Sequence, residues 1–283
     1  RIEEKEYLTD ALSRESVDFI ERNADNPFFI YLAYNAPHGP LQATEKYLNR
    51  YGHIESKNRR TYAAMVSAVD DGVGNIISKL KEKGIYENTI IYFLSDNGGR
   101  LRGDSDNGEL RGKKGNLFEG GIRVPFVMQW PSQIKGGLIY DKPVISLDIF
   151  ATSKALTSPN IVSKNELHGV NLIPFLKGEK LNAPHDYLFW RNNFMQKEDE
   201  LRVEASAVRT EKFKFINNKK VDALYDLKKE ISENTDLKDK NKEKYENLVN
   251  EHEKWSKTLM DPIFLGLLAN GQYNKLNPGR FKN

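Results

Sequence analysis

The sequence predicts an α/β fold, in which helices flank part of a large, mostly parallel sheet, followed by a small α+β domain with an antiparallel sheet and a helix. Two observations favour the first part. Amphipathic helical segments alternate with short apolar runs, and the continuous apolar runs are typical of strands covered on both faces. One observation favours the second part, because short alternating runs replace the continuous ones after Pro184.

The elements of the first part follow in an order typical of parallel sheets. Apolar spacing predicts a helix over residues 7–23, and a buried strand follows over 27–34. A second helix over 59–83 ends at Gly84, and a second buried strand covers 89–94. Strand, helix and strand predict a right-handed βαβ unit whose parallel strands end at one edge of the sheet, where α/β folds bind ligands.

A glycine- and charge-rich loop over residues 100–123 follows, and a loop of that length in a compact domain is usually functional or disordered. The other predicted elements are a strand over 124–130, a helix over 148–156, a short apolar segment over 172–176, strands over 187–190, 206–210, 213–216 and 223–227, and a helix over 242–259. We place the domain boundary near Ala183. This divides the chain into domains over 1–183 and 184–260 and a tail over 261–283 whose structure is not predicted.

Composition excludes several classes of function. The 283 residues contain no cysteine, which excludes disulfides, thiolate metal sites and a cysteine nucleophile from this chain. A formal net charge of +3 is too small and too evenly spread to indicate a nucleic-acid partner or a membrane surface. No apolar run is long enough for a membrane span. Because neither a start methionine nor a signal peptide is visible, we expect the chain to be a piece of a longer protein.

Polar residues at the predicted sheet edge are candidates for chemistry, although each has a structural alternative when taken alone. His38 lies in a proline-braced loop, where a histidine can donate a proton or bind an anion. Asp96 and Asn97 offer the oxygen ligands that Ca²⁺ and Mg²⁺ prefer, but Asp-Asn-Gly-Gly also suits a plain turn. Cations and glycines in the loop over 100–123 would hold an oxyanion, or form a solvated basic loop. The adjacent pair Asp70-Asp71 lies in a predicted helix, and we interpret it as structural.

Together, the order and spacing of these segments resemble the sulfatase family of the alkaline-phosphatase-like superfamily, over residues 7–259. The segments that carry the resemblance are Pro27-Phe-Phe-Ile-Tyr-Leu-Ala-Tyr-Asn-Ala-Pro-His-Gly-Pro40, Tyr62-Ala-Ala-Met with Asp70-Asp-Gly-Val-Gly74, Asn88-Thr-Ile-Ile-Tyr-Phe-Leu-Ser-Asp-Asn-Gly-Gly99, residues 111–125 and Leu224-Tyr-Asp-Leu227.

The resemblance implies a role for individual residues. His38 corresponds to the family's histidine beside the leaving oxygen of the sulfate ester, as its general acid. Asp96 and Asn97 correspond to the metal-binding pair, with Ca²⁺ as the usual ion and Mg²⁺ as the alternative. Lys114 corresponds to the sulfate-binding lysine. Relatives often have glycine at the preceding position, where this chain has a second lysine, so Lys113 is the alternative sulfate ligand.

Three further residues are weaker candidates for substrate binding. Arg123 is a cation near the end of the long loop. Trp190 and Arg191 would stack on or hydrogen-bond to a saccharide, although a core tryptophan is the commoner case.

The resemblance also implies what this chain lacks. Family members have an N-terminal half that supplies two further metal-binding aspartates, another lysine and histidine, and a Cys/Ser-x-Pro-x-Arg motif whose first residue becomes formylglycine. No such motif occurs in the 283 residues. The chain then corresponds to the C-terminal portion, inactive as an isolated fragment, with the N-terminal half of the same protein as its partner.

The implied activity is hydrolysis of a sulfate ester of a carbohydrate or polysaccharide, with formylglycine and Ca²⁺, in the periplasm or outside the cell. The implied binding partner is a sulfated small molecule or saccharide. Two alternatives stay open: a phosphodiesterase or phosphonate hydrolase of the same superfamily, and a non-catalytic, ligand-binding chain. The sugar, the sulfated position and the oligomeric state are not predicted.

Overall fold

A computed structural model describes residues 6–100, 105–158, 167–194, 203–218 and 220–260. The helices are α1 Leu8–Asn23, α2 Glu45–Leu48, α3 Lys57–Glu82, α4 Glu119–Ile122, α5 Leu147–Thr157, α6 Ile173–Leu176 and α7 Lys242–Ser256, with 3-10 turns at Asn49–Tyr51 and Tyr86–Asn88. The strands are β1 Ile91–Leu94, β2 Phe126–Gln129, β3 Leu188–Phe194, β4 Val203–Arg209, β5 Phe213–Asn217 and β6 Asp222–Asp226. The tail over 261–283 lies outside the described residues. No helix among the described residues is long and apolar enough to cross a bilayer.

The first of two compact units contains residues 1–94, 99–106 and 125–138. Its centre is the pair α1 and α3, which pack closely because α3 presents Gly72 to α1. A Cβ atom at Gly72 would lie 2.2 Å from the Ser13 hydroxyl oxygen, which is itself 2.8 Å from the Tyr34 hydroxyl. Arg50 binds both carboxylate oxygens of Asp71, at 2.8 and 2.7 Å, and this ion pair confirms the structural interpretation of that residue.

The strands of this unit differ from the predicted βαβ arrangement. β1 pairs with β2 in antiparallel register, with Phe93 opposite Val127. Residues 27–34 carry no regular secondary structure, and among the described residues no strand pairs with them. A strand exists only where a neighbour accepts and donates its backbone hydrogen bonds, so an apolar run alone does not make one. The predicted parallel pairing of 27–34 with 89–94 is therefore not observed.

The second unit contains residues 95–98, 107–124 and 139–283. Its antiparallel sheet has the order β3-β4-β5-β6, as the alternating runs predict. One face packs on Leu117 and the other on Leu248 of α7. In the first turn of α5, the fully buried carboxylate of Asp148 accepts hydrogen bonds from two backbone N–H groups and lies 2.8 Å from Nε2 of His185. The domain boundary near Ala183 stays a prediction.

Candidate active site

The two predicted metal ligands lie in a turn over residues 95–98, which we call the Asp-Asn turn and which follows β1 in sequence. The Asn97 side-chain amide donates to Oδ1 of Asp96 at 2.8 Å. The Ser95 hydroxyl donates to the Asn97 carbonyl at 2.9 Å. These bonds hold the carboxylate and the amide side by side at the start of the second unit.

The donor atoms of this turn fit a hard divalent cation in kind. Asp96 contributes a carboxylate and Asn97 an amide oxygen, and both types bind Ca²⁺ and Mg²⁺. Because Ca²⁺ takes about 6–8 oxygen ligands, two side chains supply only part of a coordination shell. Within the described ranges no group of three or more His, Cys, Asp or Glu side chains is arranged to hold a metal. The residues present therefore fit part of the coordination shell of such a cation.

The two candidate sulfate-binding lysines lie in a segment over residues 111–121, which we call the lysine loop. Gly112 and Gly115 have φ values of 86° and 89°, which side chains other than glycine rarely adopt, and they close a tight turn on either side of the lysines. The Asn116 N–H donates to the Lys113 carbonyl at 2.8 Å. Both lysine side chains are exposed, and in the part of the chain that the structure describes neither ammonium forms an ion pair. They are consequently available to an anion.

Glycines bring the lysine loop against the Asp-Asn turn. The Gly98 N–H donates to the Gly121 carbonyl at 3.0 Å, and a Cβ atom at Gly98 would lie 1.8 Å from the Gly120 carbonyl oxygen. A side chain at Gly98 would therefore separate the two segments. A Cβ at Gly120 or Gly121 would instead meet backbone oxygens of residues 110–116 at 2.6 Å or less, so a side chain there would disrupt the lysine loop itself. Asn107 adds hydrogen bonds to the carbonyls of Gly112 and Gly120, at 3.0 and 2.9 Å. Glycine at position 98 is thus a packing requirement of this contact, and Gly120 and Gly121 are packing requirements of the lysine loop.

A buried group of charges lies beneath the lysine loop. Lys214 of β5 is fully buried, with its ammonium 3.0 Å from Glu119 and 2.9 Å from Glu233. Burial raises the pKa of the Glu233 carboxyl, and the Lys214 ammonium opposes that rise. Burial lowers the pKa of Arg209, because desolvation disfavours the charged form of either group. The Arg209 guanidinium is 3.7 Å from Glu119.

Sequence reasoning missed Lys214 and Glu233. A signal for Lys214 was present, because it interrupts the apolar strand Phe213-Lys214-Phe215-Ile216 on the face that Ile216 buries. Glu233 offered no comparable signal, since it lies in a charged stretch with no apolar periodicity.

The other predicted site residues have separate positions. His38 belongs to the first unit, is exposed, and its Nδ1 lies 2.7 Å from the Gly39 carbonyl. Arg123 is half exposed, 3.8 Å from Glu119. Trp190 packs against the core under the sheet, which is the structural alternative weighed for it, and Arg191 donates to the Met260 carbonyl at 2.9 Å. The structure thus brings Asp96, Asn97 and the two lysines into neighbouring segments, whereas His38 is in the other unit.

Comparisons to known proteins identify the family to which this chain belongs. A family model described as Sulfatase matches residues 2–158, and one described as N-sulphoglucosamine sulphohydrolase, C-terminal, matches residues 112–260. The chain belongs to the sulfatase family.

Individual relatives give the same result. The protein named Uncharacterized sulfatase YdeN of Escherichia coli (strain K12) is 36% identical over 208 residues, covering 72% of this chain and 37% of that protein. Human N-acetylgalactosamine-6-sulfatase is 34% identical over 187 residues, covering 64% and 34%. The crystal structure of Ps i-CgsB in complex with k-i-k-neocarrahexaose is 36% identical with a TM-score of 0.88, covering 99% of this chain and 62% of that one. The chain therefore spans between a third and two thirds of the length of these proteins.

Proposed function

We propose that this chain is the C-terminal portion of a sulfatase that hydrolyses a sulfate ester of a carbohydrate. The observation that carries the proposal is the contact between the Asp-Asn turn and the lysine loop, fixed by the Gly98 N–H and the Gly121 carbonyl at 3.0 Å. That contact joins the turn that carries a carboxylate and an amide oxygen, which suit a cation, to the loop that carries two exposed lysines, which suit an anion and form no ion pair among the described residues. A site that binds a sulfate ester together with a cation needs oxygen ligands for the cation and ammonium groups for the sulfate.

Each residue of this chain has a defined task in the proposed reaction. Lys114, with Lys113 as the alternative, neutralises the sulfate oxygens, so that negative charge added to sulfur is stabilised where it develops. As an imidazolium, His38 protonates the departing alcohol from Nε2–H, because its Nδ1–H faces a carbonyl oxygen, which only accepts hydrogen bonds. Asp96 and Asn97 hold the cation on the sulfate side of the site.

Two groups outside this chain complete the proposal. Bound Ca²⁺, or Mg²⁺ as the alternative, would screen the ester's charge, and formylglycine would supply the attacking oxygen. The two oxygen donors of the Asp-Asn turn support the proposal of a bound metal. Neither the metal ion nor the formylglycine is one of the 283 residues. We accordingly expect the isolated chain to have no turnover.

Exposed apolar side chains support an N-terminal portion that packs on the first unit. Phe29 and Tyr31 are 78% and 83% exposed, although they lie in an apolar run typical of an inner strand. Phe93 and Val127, which face each other across β1 and β2, are also exposed. Large apolar residues exposed in a row mark a surface that another segment covers. We propose that the N-terminal portion adds strands to this unit and completes a large, mostly parallel sheet.

A carbohydrate substrate is supported by the names of relatives. One is a complex with k-i-k-neocarrahexaose, and another is named N-acetylgalactosamine-6-sulfatase. Location in the periplasm or outside the cell stays a prediction of the family resemblance.

Side-by-side assays of a sulfate monoester and a phosphodiester with the same aryl leaving group test the proposed function in the full-length enzyme. We expect kcat/KM to be higher for the sulfate ester by about 10²-fold, because both carry one negative charge but the diester replaces an acceptor oxygen with an alkoxy group. A preference for the phosphodiester would support the phosphodiesterase alternative. Turnover of neither would leave a ligand-binding chain as the interpretation.

Replacement of Asp96 tests the metal site. In the full-length enzyme, Asp96→Ala is expected to reduce bound Ca²⁺ from about one ion per protein to none, because it removes the only charged ligand that the Asp-Asn turn supplies. Elemental analysis of purified protein measures this directly. Asp141→Ala removes an exposed carboxylate of the same unit and should leave the metal content unchanged. Full metal content in Asp96→Ala would contradict the assignment.

A further inference from the structure

A cluster of charges that no step of the proposed reaction uses lies directly under the lysine loop. The Lys214 ammonium is fully buried between Oε1 of Glu119 at 3.0 Å and Oε1 of Glu233 at 2.9 Å. Buried charges are costly to desolvate, so such a group is retained for a reason other than stability in some proteins. The position of Lys214 and its two partners under the lysine loop suggests what this reason is in the present protein.

Glu233 is bonded to both ends of the segment that carries the lysines. Its carbonyl oxygen accepts from Nη1 of Arg111 at 2.5 Å, and its side-chain Oε2 accepts from the Glu119 N–H at 2.6 Å. Glu233 has a φ of 51°, in the left-handed region that residues other than glycine seldom adopt, so this position is itself held in a definite conformation. Lys113 and Lys114 lie between the two tied points.

Lys214 ties the same segment to the sheet. It lies on β5 opposite Arg209 of β4 and Tyr225 of β6, on the face that packs against Leu117 and Phe118 of the lysine loop. The loop is thus joined to the four-stranded sheet by apolar packing and by the ion pair of its Glu119 with Lys214.

We propose that Glu233 and Lys214 are positioning residues, which fix the distance between the two ends of the lysine loop and thereby direct its lysines at the anion. This inference rests on the proposed function. A lysine reaches its ligand on a flexible stem, so the fixed part of the interaction has to be the backbone that carries it. Loosening the backbone weakens an interaction present in both the bound substrate and the transition state, which raises KM more than it lowers kcat.

The Glu233→Gln variant tests this with little change of shape. Both side-chain oxygens of Glu233 face a donor, the Glu119 N–H and the Lys214 ammonium, and the amide nitrogen of glutamine would have to face one of them. In the full-length enzyme we expect KM for an aryl sulfate and the inhibition constant of inorganic sulfate to rise together, by about tenfold, with kcat changed by less than about threefold. Hydrogen exchange of residues 111–121 should quicken by about tenfold, with no change in α1.

A matched control comes from an exposed pair in the same unit. Glu251→Gln weakens the contact of Glu251 with Lys254, at 2.6 Å on the surface of α7, and should alter none of these quantities. If Glu233→Gln fails to fold, the double variant Lys214→Met/Glu233→Gln removes one charge of each sign and should show the same split between KM and kcat.

The outcomes separate the inference from the proposed function. A lower apparent kcat with unchanged KM and unchanged sulfate inhibition means only a smaller folded fraction, and it would overturn the positioning role, as would unchanged kinetics throughout. If the unaltered enzyme hydrolyses no sulfate ester, the proposed function fails. The exchange measurement then still decides whether Glu233 sets the lysine loop, and unchanged exchange overturns that as well.

Discussion

Replacing Lys114 with alanine in the full-length enzyme is expected to lower kcat/KM for a sulfate ester by about 10²–10³-fold. The loss arises because an ammonium beside the sulfate oxygens stabilises negative charge that grows when a nucleophile approaches sulfur. The lysine loop holds the backbone of Lys114 between glycines whose φ values are 86° and 89°. Steady-state kinetics with an aryl sulfate measures the effect.

Lys113→Ala is the matched comparison, because it removes the same side chain one residue earlier in the same turn. Both lysines are exposed, so neither substitution leaves a cavity, and equal thermal stability of the two variants checks this. If Lys114 is the sulfate ligand, Lys113→Ala should change kcat/KM by less than about tenfold. A large loss in Lys113→Ala alone would assign the role to its neighbour, and near-native rates in both would contradict the proposed anion site.

The sequence predicts the parts of this site that depend on local chemistry. Asp-Asn-Gly-Gly after an apolar run indicates a turn with oxygen ligands, and a glycine-rich basic loop indicates an anion site. The contact between them could not be predicted, because it depends on Gly98 and Gly121, far apart in sequence, whose backbone groups meet at 3.0 Å. Lys214 and Glu233 were missed for the same reason, since their partner Glu119 is distant in the chain.

The fold shows the same limit. Apolar periodicity correctly predicts α1, α3 and the antiparallel sheet, each of which buries part of its apolar side chains within the chain. The run over 27–34 has the composition of an inner strand, but composition does not supply neighbouring strands. Phe29 and Tyr31 are accordingly exposed. The predicted parallel partner of this run, over 89–94, instead forms β1 and pairs with β2.

Replacing His38 with alanine should lower kcat by about 10²–10⁴-fold for a sulfate ester of a sugar, and by much less for an ester of an acidic phenol. The difference follows from the proposed role. A sugar hydroxyl leaves poorly as an alkoxide and needs a proton, whereas an acidic phenolate leaves without one. Because Nδ1 of His38 is held 2.7 Å from the Gly39 carbonyl, Nε2 is the nitrogen that carries this proton.

The control for this variant is His53→Ala, which removes another exposed histidine of the same unit and should leave both rates unchanged. The dependence on the leaving group distinguishes proton donation from simple contact with sulfate. An equal loss for both esters would mean that His38 binds the anion without protonating the alcohol, since a lost sulfate contact weakens every ester alike. Near-native rates for both esters would remove His38 from the site altogether.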